Sequence, residues 1–347
     1  MRTWIAALGL LAAAGLAAPA DAQTLINGAG ATFPYPIYSK WFDSYTKVDP
    51  EVRFNYQSIG SGGGIKQVTS RTVDFGASDG PMTDEQLKAA PSELLHIPTV
   101  LGAVAATYNL PGNPRVQFTP EVLADIFLGK ITQWNDPKLA ADNPGVTLPK
   151  QPIAVVHRSD GSGTTYIWVD YLSKVSPEWQ QKVGKGTSVN WPVGLGGKGN
   201  EGVAGQVKNT PGALGYVELA YAVKNKLPVG WVKNAAGKFI EPTIDSTTAA
   251  AAGAAKGMPD DFRVSLTNAP GEAAYPIASF TWLLVYKEQP DQLKGRAIVN
   301  FLWWMSHEGQ KYAADLLYAP LPAPVVKQIE AKVKQINYQG KPLLAAR

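Results

Sequence analysis

A chain of 347 residues, 45% apolar and 17% charged, is long enough for two globular domains. Its formal net charge of +4 comes without a dense Lys/Arg run, so a nucleic-acid footprint is not expected. There is no cysteine, and the three histidines (His96, His157 and His307) are scattered with no HExxH spacing. That excludes disulfides, thiol catalysis and a lipid-anchored N-terminal cysteine, and it argues against a zinc hydrolase.

The N-terminus carries Arg2, an apolar run from Ile5 to Ala17, and Ala20-Asp21-Ala22. The run is shorter than the ~20 residues that span a bilayer. It reads as a signal peptide, residues 1–22, cleaved after Ala22, so the chain is expected to be secreted. Residues 24–33 read as a strand entering a Gly-rich turn. Ile37, Tyr38, Trp41, Phe42 and Tyr45 then form a helical stripe, with Pro34 and Pro36 near its start. Val52 to Ile59 alternates like a strand, Ile65 and Val68 follow in a short helix, and Val73 to Ala77 is a strand ending at Ser78-Asp79. Strand, turn and helix thus repeat, which is an α/β pattern with a parallel component.

Thr99 to Asn109 is an apolar strand. Thr119-Pro120-Glu121 starts a helix with an N-cap, an N1 proline and a first-turn acid, and Gly129 can end it. Ile153 to Val156 is a buried strand, and Tyr166 to Val175 is a helix with Ile167, Trp168, Tyr171, Leu172 and Val175 on one face. Gly194 to Gly199 reads as a loop, Ala213 to Tyr216 as a short strand with a helix through Tyr221, and Ala249 to Ala255 as a surface helix. Ile277 to Tyr286 is a strongly apolar strand, followed by helices at Ala297–Met305, Gln310–Leu317 and Val325–Ile336.

Four segments share one chemistry. They are Ala31-Thr32-Phe33, Gly60-Ser61-Gly62, Ser78-Asp79, and Arg158 with Ser162-Gly163-Thr164. Ser162, Gly163 and Thr164 fall at a helix N-terminus, where N–H groups lack partners and the dipole is positive. Arg158 adds a fork of donors suited to phosphate or carboxylate. Taken alone, the same stretch fits an ordinary N-cap beside a surface arginine. Together the four segments can enclose a tetrahedral oxyanion. Asp79 is the odd member, because a carboxylate repels an anion unless the anion carries a proton. Phosphate near neutral pH does and sulfate does not, so Asp79 can accept the phosphate O–H and reject sulfate. A turn or N-cap role before Pro81 is the alternative for Asp79. Gly194-Leu195-Gly196-Gly197-Lys198-Gly199 matches G-x-G-x-x-G, but Asn190-Trp191-Pro192 is poor strand material, so a nucleotide role is not expected. Ser162 lacks G-x-S-x-G spacing, which argues against a serine hydrolase.

At these residues the chain resembles the periplasmic phosphate-binding proteins that feed ABC-type phosphate importers. The resemblance covers nearly all of the mature chain. It runs through Gly28-Ala29-Gly30-Ala31-Thr32-Phe33-Pro34, Val73-Asp74-Phe75-Gly76-Ala77-Ser78-Asp79, Asp160-Gly161-Ser162-Gly163-Thr164, and Trp191 to Asn200. It implies a type II periplasmic binding protein-like α/β fold, with a ligand cleft between two domains joined by a two-strand hinge. Domain one would be residues 24–107 plus 280–347 and domain two 108–279. The implied ligand contacts are Thr32, Phe33, Ser61, Asp79 as proton acceptor, Arg158, Ser162, Gly163 and Thr164, with Asp160 holding Arg158 by a salt link. One departure stands out: a serine is expected after Ser61, and this chain has Gly62, whose N–H is left to serve instead. The implied partners are inorganic phosphate and the membrane permease subunits, with no cofactor, no metal and a monomeric state. The competing reading is a secreted phosphoesterase using the same anion pocket. It needs a base beside a nucleophile or metals, and His157, on a strand next to Arg158, should point the other way.

Overall fold

The computed structural model describes residues 23–253 and 257–345, so the expected signal peptide lies outside the described residues. Eight strands form one sheet. They are β1 (Thr24–Gly30), β2 (Val52–Ser58), β3 (Phe75–Ser78), β4 (Leu94–Tyr108), β5 (Ala154–Arg158), β6 (Leu195–Gly197), β7 (Ala213–Glu218) and β8 (Ala278–Tyr286). Their spatial order is β2-β1-β3-β8-β4-β7-β5-β6. β1 runs parallel to β2 and β3, and β5 runs parallel to β6 and β7, giving two parallel groups at the two ends. Between them lie the antiparallel pairs β3–β8, β8–β4 and β4–β7.

β4 is where the two groups join. All fifteen of its residues are buried, as expected of a mostly apolar strand covered on both faces, and the three polar ones, His96, Thr99 and Thr107, are buried with the rest. Residues from Leu94 to Ala103 pair with β8, and residues from Val104 to Tyr108 pair with β7. The partner therefore changes between two consecutive residues. The other strand ends at the same level, with Ala278 opposite Ala103 and the Val104 N–H donating to the Ile277 carbonyl at 2.8 Å.

Helices cover the sheet by burying apolar stripes. α1 (Tyr35–Tyr45) buries Ile37, Tyr38, Trp41, Phe42 and Tyr45, and the Trp41 indole donates to the Gly309 carbonyl at 2.7 Å. α2 (Ser61–Thr69) lies against β1 and β3. α3 (Pro120–Phe127) starts at the Thr119 cap, and Gly129 beyond its end takes φ +76°. α4 (Gly163–Val175) buries Ile167, Trp168, Tyr171 and Leu172, while α5 (Gly199–Asn209) and α6 (Leu219–Lys224) flank β7. α7 (Gln292–Ser306) and α8 (Ala323–Val333) complete the β1 side.

Three local expectations are corrected. Leu195–Gly197, expected as loop, is the edge strand β6, because its backbone pairs with β5 although its glycines carry no side-chain pattern. The alanine-rich helix begins earlier, at Ile244 with a Thr243–Ser246 capping box, and is no surface helix: Ala250 and Ala251 are buried. Gln310–Leu317 forms two 3₁₀ turns, Glu308–Tyr312 and Ala314–Leu316. There the Gln310 amide donates to the Thr99 and Met305 carbonyls and accepts from the Leu321 N–H, and Leu317 closes the segment at φ +67°.

Helix α2 can approach β1 and β3 only at a glycine. A Cβ on Gly64 would stand 2.5 Å from Gly30 Cα and 2.7 Å from the Ala29 and Ala77 carbonyl oxygens, all rigid backbone. On an open helix face, Gly→Ala is stabilising by up to ~1 kcal/mol. Here Gly64→Ala is expected to destabilise by ~1–3 kcal/mol through overpacking. A urea unfolding midpoint that rises in this variant would contradict the packing described.

Candidate functional site

The four expected segments meet where the strands end. β1 leads to Thr32-Phe33, Asp79 directly follows β3, and Arg158 is the last residue of β5. This is the carboxyl edge of each parallel group, where open α/β sheets place their ligands. Four helices start there. α1 begins two residues after Phe33, α2 begins at Ser61, α4 at Gly163 and α5 at Gly199. Their N-terminal N–H groups and dipoles make the region favourable to negative charge with neutral donors.

Ser61 joins the two sides. Its Oγ accepts from the Gly163 N–H at 2.9 Å and the Asp79 N–H at 3.3 Å, and its proton lies toward Asp79 Oδ2 at 3.4 Å. Gly163 is required for this approach, since a Cβ there would come within 2.6 Å of Ser61 Oγ, Asp79 Cβ and Asp79 Oδ2. Ser162 acts as the N-cap of α4, its Oγ accepting from the Thr165 N–H at 3.0 Å. No described residue accepts from the backbone N–H groups of Phe33 or Thr164, so both remain available as donors.

Arg158 is buried, and Asp160 grips it in a fork: Nε to Oδ1 at 2.8 Å and Nη2 to Oδ2 at 2.5 Å. The Gly199 N–H donates to the same carboxylate at 3.0 Å. Burial alone would raise the Asp160 carboxyl, but the Arg158 fork and the Gly199 N–H outweigh it and hold it below its usual range. Nη1 of Arg158, on the far side of the fork, donates to Thr164 Oγ1 at 3.3 Å. The guanidinium is thus rigid and oriented, with its charge already shared with Asp160.

Asp79 is 1% exposed. Its Oδ1 accepts from Thr281 Oγ1 at 2.7 Å. Burial pushes its carboxyl up to about 7, against the Thr281 bond, the Arg158 charge and Ser61. Glu218, the last residue of β7, is likewise buried; burial holds it well above the usual carboxylate range, and its Oε1 has no partner among the described residues. Phe33 contributes through its backbone: its carbonyl accepts from Tyr318 OH at 2.6 Å, and that hydroxyl lies 3.2 Å from Glu218 Oε2. The Thr32 carbonyl accepts from Tyr221 OH at 2.6 Å.

Gly62 explains its departure from the expected serine. Its N–H donates to the Gly161 carbonyl at 2.9 Å, and a Cβ would stand 3.0 Å from Gly161 Cα. The two chains cross here backbone to backbone. The expectation that the Gly62 N–H serves a ligand is therefore corrected: that donor is taken by Gly161. His157 stacks on Trp191 with centroids 4.7 Å apart and its Nδ1 lies 3.0 Å from the Arg158 backbone carbonyl, while His96 accepts from the Met82 N–H, so neither imidazole bonds to Asp79 or to the Arg158 guanidinium.

Sequence reasoning missed Asn200, Glu218, Tyr318, Tyr221 and Thr281. Thr281 had a signal, as one of two hydroxyls, with Ser279, inside a mostly apolar strand, and Glu218 another, as a charge closing a buried strand. Asn200 sat at the edge of a stretch read as a plain loop.

The chain matches the family model of the PBP superfamily domain over residues 17–308. It is 49% identical over 310 residues to the phosphate-binding protein PstS of Xylella fastidiosa (strain 9a5c), an alignment covering 88% of this chain and 84% of that protein. Among solved structures, a periplasmic phosphate-binding protein (PfluDING) bound with phosphate superposes with a TM-score of 0.71 at 22% identity, covering 89% of this chain and 93% of that one. An ABC-type phosphate transport receptor from Vibrio cholerae gives 0.56 at 21% identity over 86% and 100%. The fold is therefore the periplasmic binding protein-like α/β architecture, and the run of β4 and β8 between the two parallel groups is consistent with a two-domain hinge. The chain belongs to the PBP superfamily and, within it, to the family of the phosphate-binding proteins PstS.

Asp79 titrates above its unfolded value of 3.8, so its contribution to stability is complete below about 4 and is lost as pH rises through about 7. Glu218 acts in the same direction. The thermal midpoint of ligand-free protein is expected to fall between pH 4 and 7, and Asp79→Asn to make that slope shallower. An unchanged slope in the variant would show that Asp79 is ionised at low pH like an exposed carboxylate.

Proposed function

We propose that this protein captures inorganic phosphate in the periplasm and delivers it to the membrane permease of an ABC transporter, by hinge closure and without covalent chemistry. One observation carries the reading: a buried carboxyl, Asp79, faces a set of neutral donors and one oriented guanidinium. A ligand surrounded by N–H and O–H groups and a guanidinium has to be rich in acceptors, as an oxyanion is, and an anion that also meets the ionised carboxylate must bring a proton. Phosphate near neutral pH satisfies both demands, while sulfate leaves its lone pairs against those of Asp79. Sites that demand a hydrogen from the ligand can discriminate by roughly 10⁴–10⁵. The names of the relatives, phosphate-binding protein and phosphate transport receptor, support the same ligand and the same transport role.

The residues take distinct roles. Phe33 and Thr164 offer backbone N–H groups, Thr32 and Thr164 offer hydroxyls, and the Ser61 hydroxyl serves the ligand by turning its proton away from Asp79. Ser162 and Gly163, expected as ligand contacts, already bond Thr165, Thr187 and Ser61, so their part is to cap α4 and to bring its N-terminus against Ser61. Arg158 supplies positive charge, oriented by Asp160, and Asp79 accepts the ligand proton. The domains are residues 24–107 with 280–347, and 108–279. The change of partner along β4 at Ala103/Val104, level with Ala278, supports a hinge of two adjacent strands. Closing about it would complete the donor shell and dehydrate the anion. The mature chain is secreted after cleavage at Ala22 and acts as a monomer. A phosphoesterase is disfavoured by the placement of His157 and His96, which leaves no imidazole base beside a hydroxyl of the pocket.

Titration with phosphate, followed by intrinsic tryptophan fluorescence, is expected to show saturable binding that sulfate does not reproduce, with no release of p-nitrophenol from p-nitrophenyl phosphate. Sulfate binding as tight as phosphate, or catalytic turnover, would sink the reading. Arg158→Ala is expected to weaken phosphate binding by ~3 kcal/mol or more, because a buried anion loses its counter-charge; a loss below ~1 kcal/mol would move the site elsewhere. Asp79→Asn is expected to let sulfate compete in isothermal titration, and an unchanged preference would remove Asp79 from the selectivity argument.

A further inference from the structure

Asn200 is wholly buried at the start of α5, where it bonds to residues on both sides of the cleft. Its Oδ1 accepts from the Glu218 backbone N–H at 2.8 Å. A backbone N–H can only donate, so this contact settles which end of the amide is which. Nδ2 is therefore the end facing the cleft hydroxyls, donating to Thr32 Oγ1 at 2.7 Å and to Thr164 Oγ1 at 3.0 Å. The Asn200 backbone N–H also donates to Thr32 Oγ1, at 3.2 Å.

A hydroxyl has two lone pairs and one proton. Both lone pairs of Thr32 Oγ1 are occupied by Asn200, through N and Nδ2. Both lone pairs of Thr164 Oγ1 are occupied, by Asn200 Nδ2 and Arg158 Nη1. Each hydroxyl is left with only its proton to offer. We propose that Asn200 is a positioning residue that sets the polarity of the site, locking the Thr32 and Thr164 hydroxyls as obligate donors to a fully acceptor-lined oxyanion edge. The role rests on the phosphate-binding reading above and adds a specificity element to it. Where Asp79 requires one proton on the ligand, Asn200 requires that the opposite edge carry none. It also ties the two sides together, since one NH₂ group satisfies a hydroxyl from each.

The variant Asn200→Leu keeps the approximate volume and removes both Nδ2 donors and the Oδ1 acceptor. The two hydroxyls are then free to turn their lone pairs to the ligand. Isothermal titration with phosphate is expected to show ~10-fold or greater weakening, the scale of one lost buried hydrogen bond. The discriminating measurement is a double-mutant cycle against Thr164→Val and Thr32→Val, which delete the hydroxyls at nearly constant shape. With both valines present, Asn200→Leu is expected to weaken binding by less than ~3-fold, because the polarity it controls is gone. An equal weakening in both backgrounds would mean that Asn200 is only structural packing, and would overturn the proposal. If Asn200→Leu does not fold, Asn200→Asp serves, since it retains the acceptor to Glu218 while presenting lone pairs to both hydroxyls. It is expected to lose at least as much affinity, and phosphate binding within 2-fold of the parent would overturn the proposal. A parent protein that gives no phosphate isotherm would overturn the functional reading and this inference together. A parent that binds while both Asn200 variants match it would overturn only the role of Asn200.

Discussion

The structure depends on the burial of one carboxyl, that of Asp79, among groups chosen to hold an anion. Burying an unpaired charge is costly, and the nearest guanidinium does not cancel it, because Arg158 is already engaged by Asp160 through two bonds. Asp79 is instead moderated by the Thr281 and Ser61 hydroxyls and by being poised to hold a proton or receive one in a hydrogen bond. The rest of the cleft follows from this. Its attraction for negative charge has to come largely from N–H and O–H dipoles, which explains why four helix N-termini converge there beside Arg158.

Those dipoles can converge only if the backbone itself closes. Gly60, Gly62, Gly161 and Gly163 line the crossing, and at each a Cβ would meet backbone or side-chain atoms of the opposite segment at 3.1 Å or less. Side chains there would hold the two segments apart and admit water, weakening every dipole in the site. The replacement of an expected serine by Gly62 belongs to this geometry: it exchanges a possible hydroxyl for a backbone-to-backbone contact with Gly161 across the cleft. Helix α2 obeys the same rule one turn later, where Gly64 rests on the ends of β1 and β3.

Much of the fold was legible in the sequence, and for physical reasons. The stripes of α1 and α4 have helical spacing, the caps at Thr119 and Ser162 are side chains that bond the next turn, and β4 and β8 carry no charged carboxylate, lysine or arginine and are mostly apolar because both of their faces are covered. The elements that were misread are those whose structure is supplied from outside. β6 is a strand only because β5 lends its edge, Ala250 is core because Ala274 and Ala278 pack with it while Ala251 joins the main core, and the 308–317 segment leaves α-helical register because Gln310 bonds distant backbone.

The sequence alone determined the α/β class, the order of strand, turn and helix, and the four small-residue segments with Arg158 and Asp79, since local periodicity, capping and residue chemistry are properties of neighbours along the chain. The tertiary structure alone decided that β4 changes partners at Ala103/Val104, that the Gly62 N–H is taken by Gly161, and that Asn200, Glu218, Thr281 and Tyr318 join the site. These are long-range pairings. Whether a hydroxyl donates or accepts, and whether a carboxyl is charged, depends on which groups the fold brings to it from far along the chain.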